Sequence, residues 1–129
     1  MQPKILLVDD SSTTLLMEEM LLREYTKFDV LLARDGKEAV ERALAEQPSL
    51  VLMDVIMPKM DGFTACREMR RHEKLRNIPI ILITSRGEPQ NIEKGFESGC
   101  NDYLTKPIQS HELIQMVNQY LAAEGAISG

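Results

Sequence analysis

The sequence predicts an α/β domain with a central parallel sheet, and three observations point there. Five short apolar runs recur along the 129 residues, at 4–9, 28–33, 50–55, 78–84 and 102–105. A stretch with helical periodicity follows each run, so strand and helix alternate five times. The first four runs show little polar alternation, as strands do when helices cover both faces of a sheet. Right-handed crossovers then join the strands. In such sheets ligands bind outside the carboxyl ends of the strands, so those ends are the place to look for chemistry.

The elements follow in order. KILLVD carries Ile5, Leu6, Leu7 and Val8 into Asp9. The first helix reads as SSTTLLMEEMLLREY, with Ser11 or Ser12 as its N-cap. After FDVLLA, the stretch DGKEAVERALAEQ opens with Asp35 and Glu38 at capping-box spacing and turns Ala39, Val40, Ala43 and Leu44 inward. LVLMDV precedes GFTACREMRRHE, whose inward residues are Phe63, Cys66 and Met69. IPIILIT leads to PQNIEKGFESG, which starts with Pro89 and stops at Gly99. The fifth run, DYLT, is weak alone and depends on its context. The last helix, SHELIQMVNQYLAAE, aligns Leu113, Val117, Tyr120 and Leu121 on one stripe. Ile114 and Met116 sit at its margin, either as exposed apolar surface suited to an adaptable partner or as part of a wide buried stripe. The expected domain covers residues 1–123, with 124–129 as a disordered tail.

Composition narrows the function classes. The length fits one domain with one sizeable core. A net charge of −5, with basic residues scattered apart from Arg67, Arg70 and Arg71, argues against direct nucleic-acid binding. Cys66 and Cys100 are too far apart in sequence for a zinc or C-x-x-C motif. No signal peptide precedes the first strand and no apolar run is long enough to span a bilayer, so the expectation is a cytoplasmic protein with reduced thiols and no membrane contact.

The strand ends carry the chemistry. Asp9 and Asp10 end the first strand, Asp54 the third, Thr84 and Ser85 the fourth, and Lys106 and Pro107 the fifth. Taken singly, each has a plain structural reading. The Asp pair can cap a helix, Asp54 can open a turn, Thr84 can end a strand and Lys-Pro can form a loop. Together they put three carboxylates, a hydroxyl and an ammonium on one rim. Adjacent carboxylates repel. A hard divalent cation such as Mg²⁺ relieves this, since it prefers oxygen ligands and is held by carboxylates together with phosphate.

ILLVDD, LVLMDVIMPKMDG, IPIILITS and DYLTKP, in this order and spacing, resemble the response regulator receiver domain of bacterial two-component signalling, the CheY-like domain. The resemblance covers residues 3–123. It implies a flavodoxin-like, doubly wound sheet of order 2-1-3-4-5. In that order Asp9, Asp10 and Asp54 converge, Thr84 lies one strand away and the longer Lys106 reaches from two.

The resemblance further implies that Asp54 accepts a phosphoryl group from a histidine kinase or phosphotransfer protein. Mg²⁺ would be held by Asp9, Asp10, Asp54 and the backbone carbonyl of Ile56. Lys106 and Thr84 would contact the phosphoryl oxygens. Tyr103 matches the aromatic switch position, with a half-buried strand tyrosine as its plain reading. Lys106-Pro107 matches a cis peptide. Output would be read by a protein partner on the face of the fourth helix, fifth strand and fifth helix. Ile56 and Arg86 occupy the two rate-tuning positions, and Ile56 cannot position a water, so slow phosphate loss is expected. The domain would then be no enzyme beyond catalysing its own phosphorylation and slow dephosphorylation. Three other readings stand beside this: a Mg²⁺-dependent phosphatase, a phosphorylation-independent interaction module, and a receiver cut from a larger kinase or transcription factor.

Overall fold

The computed structural model describes residues 3–85 and 89–121. The elements are β1 (Lys4–Val8), α1 (Ser12–Tyr25), β2 (Asp29–Ala33), α2 (Gly36–Glu46), β3 (Leu50–Asp54), α3 (Gly62–Arg71), β4 (Ile80–Thr84), α4 (Pro89–Ser98), β5 (Asp102–Thr105) and α5 (Ser110–Leu121). A short 3₁₀ turn, Glu73–Leu75, follows α3. All the strand pairs are parallel, in the order β2-β1-β3-β4-β5. This is the expected flavodoxin-like arrangement. The division at residue 123 and the tail 124–129 lie outside the described residues.

The period-two alternation of the strands separates two cores. Ile5 and Leu7 of β1, Leu50 and Leu52 of β3, and Ile81 and Ile83 of β4 pack with Leu15, Leu22, Leu113, Val117 and Leu121 of α1 and α5. Leu6, Val8, Val51, Met53, Ile80 and Leu82 point the other way, toward Ala39, Ala43, Phe63, Cys66 and Met69 of α2 and α3. Each fully buried leucine or isoleucine contributes about 1.5–3 kcal/mol, so the sheet is the stability centre and its rim can carry strain. Ile114 and Met116 are half-buried against the α1/α5 core, which settles the margin of the α5 stripe in favour of packing. The large apolar side chains most open to solvent are Leu16, Met17, Met20 and Tyr25 on α1, Ile56 after β3, and Phe96 on α4.

The caps are those the sequence encodes. Ser11 accepts from the Thr14 N–H, Asp35 from Glu38 and Asp61 from Thr64. The capping box at α2 is displaced by one residue: Glu38 accepts from the Arg34 N–H at 2.6 Å rather than from the cap residue itself. β4 starts two residues later than expected, because the Ile78 N–H is drawn to Leu75 O at the end of the 3₁₀ turn. β2 begins at Asp29, since the Phe28 N–H bonds the Thr26 hydroxyl. Cys66 and Cys100 are free and buried.

At the amino-terminal edge of β4 and β5, Arg70 makes a five-point clamp. Its guanidinium donates to the carbonyls of Gly99, Leu75, Arg76 and Ile78 and to Asn101 Oδ1. The same Asn101 oxygen accepts the Ile80 N–H at 2.9 Å. Gly99 has φ 105°, and a Cβ there would lie 2.8 Å from Arg70 Cγ, so glycine is required on both counts.

Candidate functional site

The carboxyl ends of β1, β3, β4 and β5 converge as the register dictates. Asp54 pairs in register with Ile83, and Thr84 with Thr105. β1 ends at Val8, yet the Asp9 N–H still bonds Ala33 O at 3.1 Å, which holds Asp9 at the strand tip. Its Oδ1 then accepts the Ser11 N–H at 2.9 Å and turns the chain into α1. Asp9 and Asp54 are buried, at 1% and 6% exposure, while Asp10 is open to solvent. Carboxylate oxygens of Asp9, Asp10 and Asp54 all lie within 4.8 Å of one another. An all-oxygen set of this kind suits a hard divalent cation.

Lys106 reaches into this group. Its Nζ lies 3.2 Å from Asp54 Oδ2 and 3.5 Å from Asp9 Oδ2. Burial pushes the Asp54 carboxyl above its ordinary value, Lys106 pulls it down, and the Asp9 charge pushes it up again. Burial alone would lower the Lys106 ammonium, but Asp54 and Asp9 hold it above its ordinary value. The Asp54 shift is chiefly one of burial, while the Lys106 shift reflects two carboxylates facing a single ammonium. The Lys106-Pro107 bond is cis, as the resemblance implies.

Thr84 is 3% exposed and its Oγ1 has no hydrogen-bond partner among the described residues. A buried hydroxyl left unpaired costs about 1–3 kcal/mol, which sets Thr84 apart from an ordinary strand-end threonine. Thr84 and Asp54 line one cavity of about 520 Å³, together with Ile56, Asn91 and Lys94. Ile56 is 71% exposed at this site and presents only hydrocarbon. Tyr103 is half-buried, with its ring edge-on to Phe96 at 6.1 Å. Arg86 lies outside the described residues.

Gly62 explains how α3 comes so close. Its N–H bonds Val55 O at 2.8 Å, and a Cβ would meet Asp54 O at 2.5 Å. The Asp-Gly of the MPKMDG segment therefore supplies both the α3 cap and the clearance that lets the helix pack on the strand end.

Two residues near the site escaped the sequence reading. Lys94 on α4 faces the Asp54 cavity, its Nζ 5.0 Å from the centre of the Phe63 ring. Nothing in the local pattern distinguishes it from a solvated helix lysine. Glu18 on α1 is 4% exposed, and its carboxyl is pushed up to about 7, chiefly by burial, then by Asp9 against the pull of Lys106. Its signal was available. Glu18 falls between Leu15 and Leu22 at helical spacing, a charge placed on the inward stripe.

Among the described residues no helix is long and apolar enough to cross a membrane. Residues 5–118 match the response regulator receiver domain family. The chain is 35% identical to the protein PilH of Pseudomonas aeruginosa, over 92% of this chain and 98% of PilH. It is 38% identical to the DNA-binding dual master transcriptional regulator RpaA of Synechocystis, over 92% of this chain but 49% of RpaA, so it spans about half of that relative. The receiver domain of the sensor histidine kinase PA1611 of Pseudomonas aeruginosa, with magnesium coordinated in its active site cleft, superposes with a TM-score of 0.87. The two are 34% identical, over 95% of this chain and 99% of that one. The receiver domain of Ssk1 from Saccharomyces cerevisiae, crystallised with the histidine phosphotransfer protein Ypd1, gives a TM-score of 0.86 at 28% identity, over 92% and 88% of the two chains. The fold, the strand-end residues and these likenesses agree, and the chain belongs to the response regulator receiver domain family.

Proposed function

We propose that the protein accepts a phosphoryl group on Asp54, from a histidine kinase or histidine phosphotransfer protein, with Mg²⁺ on the acidic rim. The charge then alters the α4–β5–α5 face and so controls a protein partner. The observation that carries this reading is the unpaired Thr84 hydroxyl, lining one cavity with Asp54, whose carboxylate the Lys106 ammonium contacts. A structural cluster would satisfy that hydroxyl; a phosphoacceptor site leaves it free for the incoming oxygens.

Asp54 Oδ attacks the phosphorus of a phosphohistidine, the P–N bond breaks, and the imidazole leaves with the electron pair as the acyl phosphate forms. The transition state is loose, so positioning and charge neutralisation matter more than proton transfer. Asp9, Asp10, Asp54 and the Ile56 carbonyl would hold Mg²⁺, which neutralises oxygen charge when bound. Lys106 exchanges its Asp54 contact for a phosphoryl oxygen. Thr84 donates to another and draws toward the site, and Tyr103 moves into the space it leaves. The edge-on packing of Tyr103 with the 46% exposed Phe96 links that movement to α4.

Residues 1–123 form the receiver in this reading and 124–129 a tail, in a cytoplasmic setting without direct nucleic-acid or membrane contact. Ile56 offers no acid to protonate a leaving group, which disfavours a phosphatase acting on external esters. The test is intact mass spectrometry after incubation with Mg²⁺ and a panel of autophosphorylated kinases. The wild type should gain one phosphoryl group and Asp54→Asn none. No gain from any donor that phosphorylates a control receiver would end the reading.

A further inference from the structure

Lys106, which contacts Asp54, also lines a second cavity of about 490 Å³, between α1 and the segment joining β5 to α5. Its walls are largely hydrocarbon, from Met17, Leu21, Ile108 and Leu113, and Glu18 and Lys106 also line it. We propose that this groove binds a small amphiphilic cation, a primary ammonium on an apolar chain, with the Glu18 carboxylate as its counter-ion.

Three observations support one charged occupant. Glu18 is 4% exposed and its Oε2 has no hydrogen-bond partner among the described residues. A carboxylate desolvated without a donor is costly, and an ammonium removes that cost by ion pairing and hydrogen bonding together. The Lys106 ammonium also lines the groove, but it is committed to Asp54 and Asp9 at 3.2 and 3.5 Å. Around it, Asp9 and Asp54 already outnumber that one cation, so the local field attracts positive charge, and a bound cation favours the ionised form of Glu18. Finally, the volume falls in the range of small-ligand sites, roughly 300–1,000 Å³, and apolar walls with one buried charge are their usual lining. Met17, 60% exposed, has a flexible unbranched side chain that can yield to an entering chain.

The site is tested on the unmodified protein, so its outcome is independent of the role of Asp54. Hexylammonium and hexanol, equal in length and differing in charge, are titrated into the full chain while backbone amide resonances are followed. Hexylammonium should bind at least about tenfold tighter than hexanol, the margin of a charge-assisted hydrogen bond. Shifts should centre on Met17, Leu21, Ile108 and Leu113. In Glu18→Gln the preference should fall to within about twofold, with hexanol binding retained. Equal affinity of the two ligands for the wild type overturns the proposal without recourse to any variant. So do shifts confined to Asp54 and its neighbours, an unchanged preference in Glu18→Gln, or concentration-dependent shifts of the groove residues without ligand, which would mean that a second copy fills the groove.

Discussion

Ile56 stands two residues beyond Asp54, 71% exposed at the edge of the Asp54 cavity. It can neither accept nor donate a hydrogen bond to an attacking water. Ile56→Asn should therefore shorten the lifetime of the acyl phosphate by about tenfold, a general-base or positioning effect at the low end. Release of inorganic phosphate from the purified phosphoprotein measures it, and an unchanged rate would count against the role. Glu18 makes the second prediction. Its carboxyl titrates near 4.5 when free and is held at about 7 in the fold. Between those values the folded state keeps a proton that the unfolded state has lost. The contribution is fully favourable below pH 4.5, declines as the pH rises through the window, and levels off above 7. The loss is on the order of 3 kcal/mol. With metal removed by a chelator, Glu18→Gln should flatten this decline in urea unfolding and be the more stable protein above pH 7. A wild-type pH profile in the variant would refute the assignment. At this scale the sequence was partly legible. Asp9, Asp54, Thr84 and Lys106 stood at strand ends, where polar residues are conspicuous against apolar runs. Glu18 was legible only from its spacing between Leu15 and Leu22, in a helix whose other charged residues mostly face water.

Among the elements, the α3 amino terminus is the most constrained. Asp61 caps it, and Gly62 packs against the Asp54 carbonyl. Gly62→Ala should cost about 1–3 kcal/mol by overpacking against backbone that cannot yield. It should also slow the proposed phosphoryl uptake, since the displaced carbonyl belongs to Asp54; urea midpoints and uptake rates report both. Normal uptake together with lost stability would separate the packing from the chemistry. Element types were legible because period two and period 3.6 leave different patterns in buried runs. Boundaries were less so. Hydrogen bonds that no periodicity encodes set the start of β2 at Asp29 and of β4 at Ile80.

For the whole molecule, the strand order was not readable from residue patterns. Parallel buried runs of similar composition carry no mark of which neighbour they pair with, and the order 2-1-3-4-5 came from the family resemblance. That order places Asp9 beside Asp54, and this adjacency is what millimolar Mg²⁺ should report. Its binding to the folded state alone raises the thermal midpoint by mass action. Asp10→Asn should lose most of that rise while folding normally without metal, because Asp10 is open to solvent and its oxygen belongs to the cation set. An equal rise in the variant would remove Asp10 from the set.

The clamp built by Arg70 gives the two ends of the sheet unequal mechanical roles. Five guanidinium contacts rivet the amino-terminal edge of β4 and β5 to the end of α3. With this edge held fast, any shift that phosphorylation of Asp54 would cause at the far rim should be taken up by α4 and the tip of β5 rather than passed down the strands.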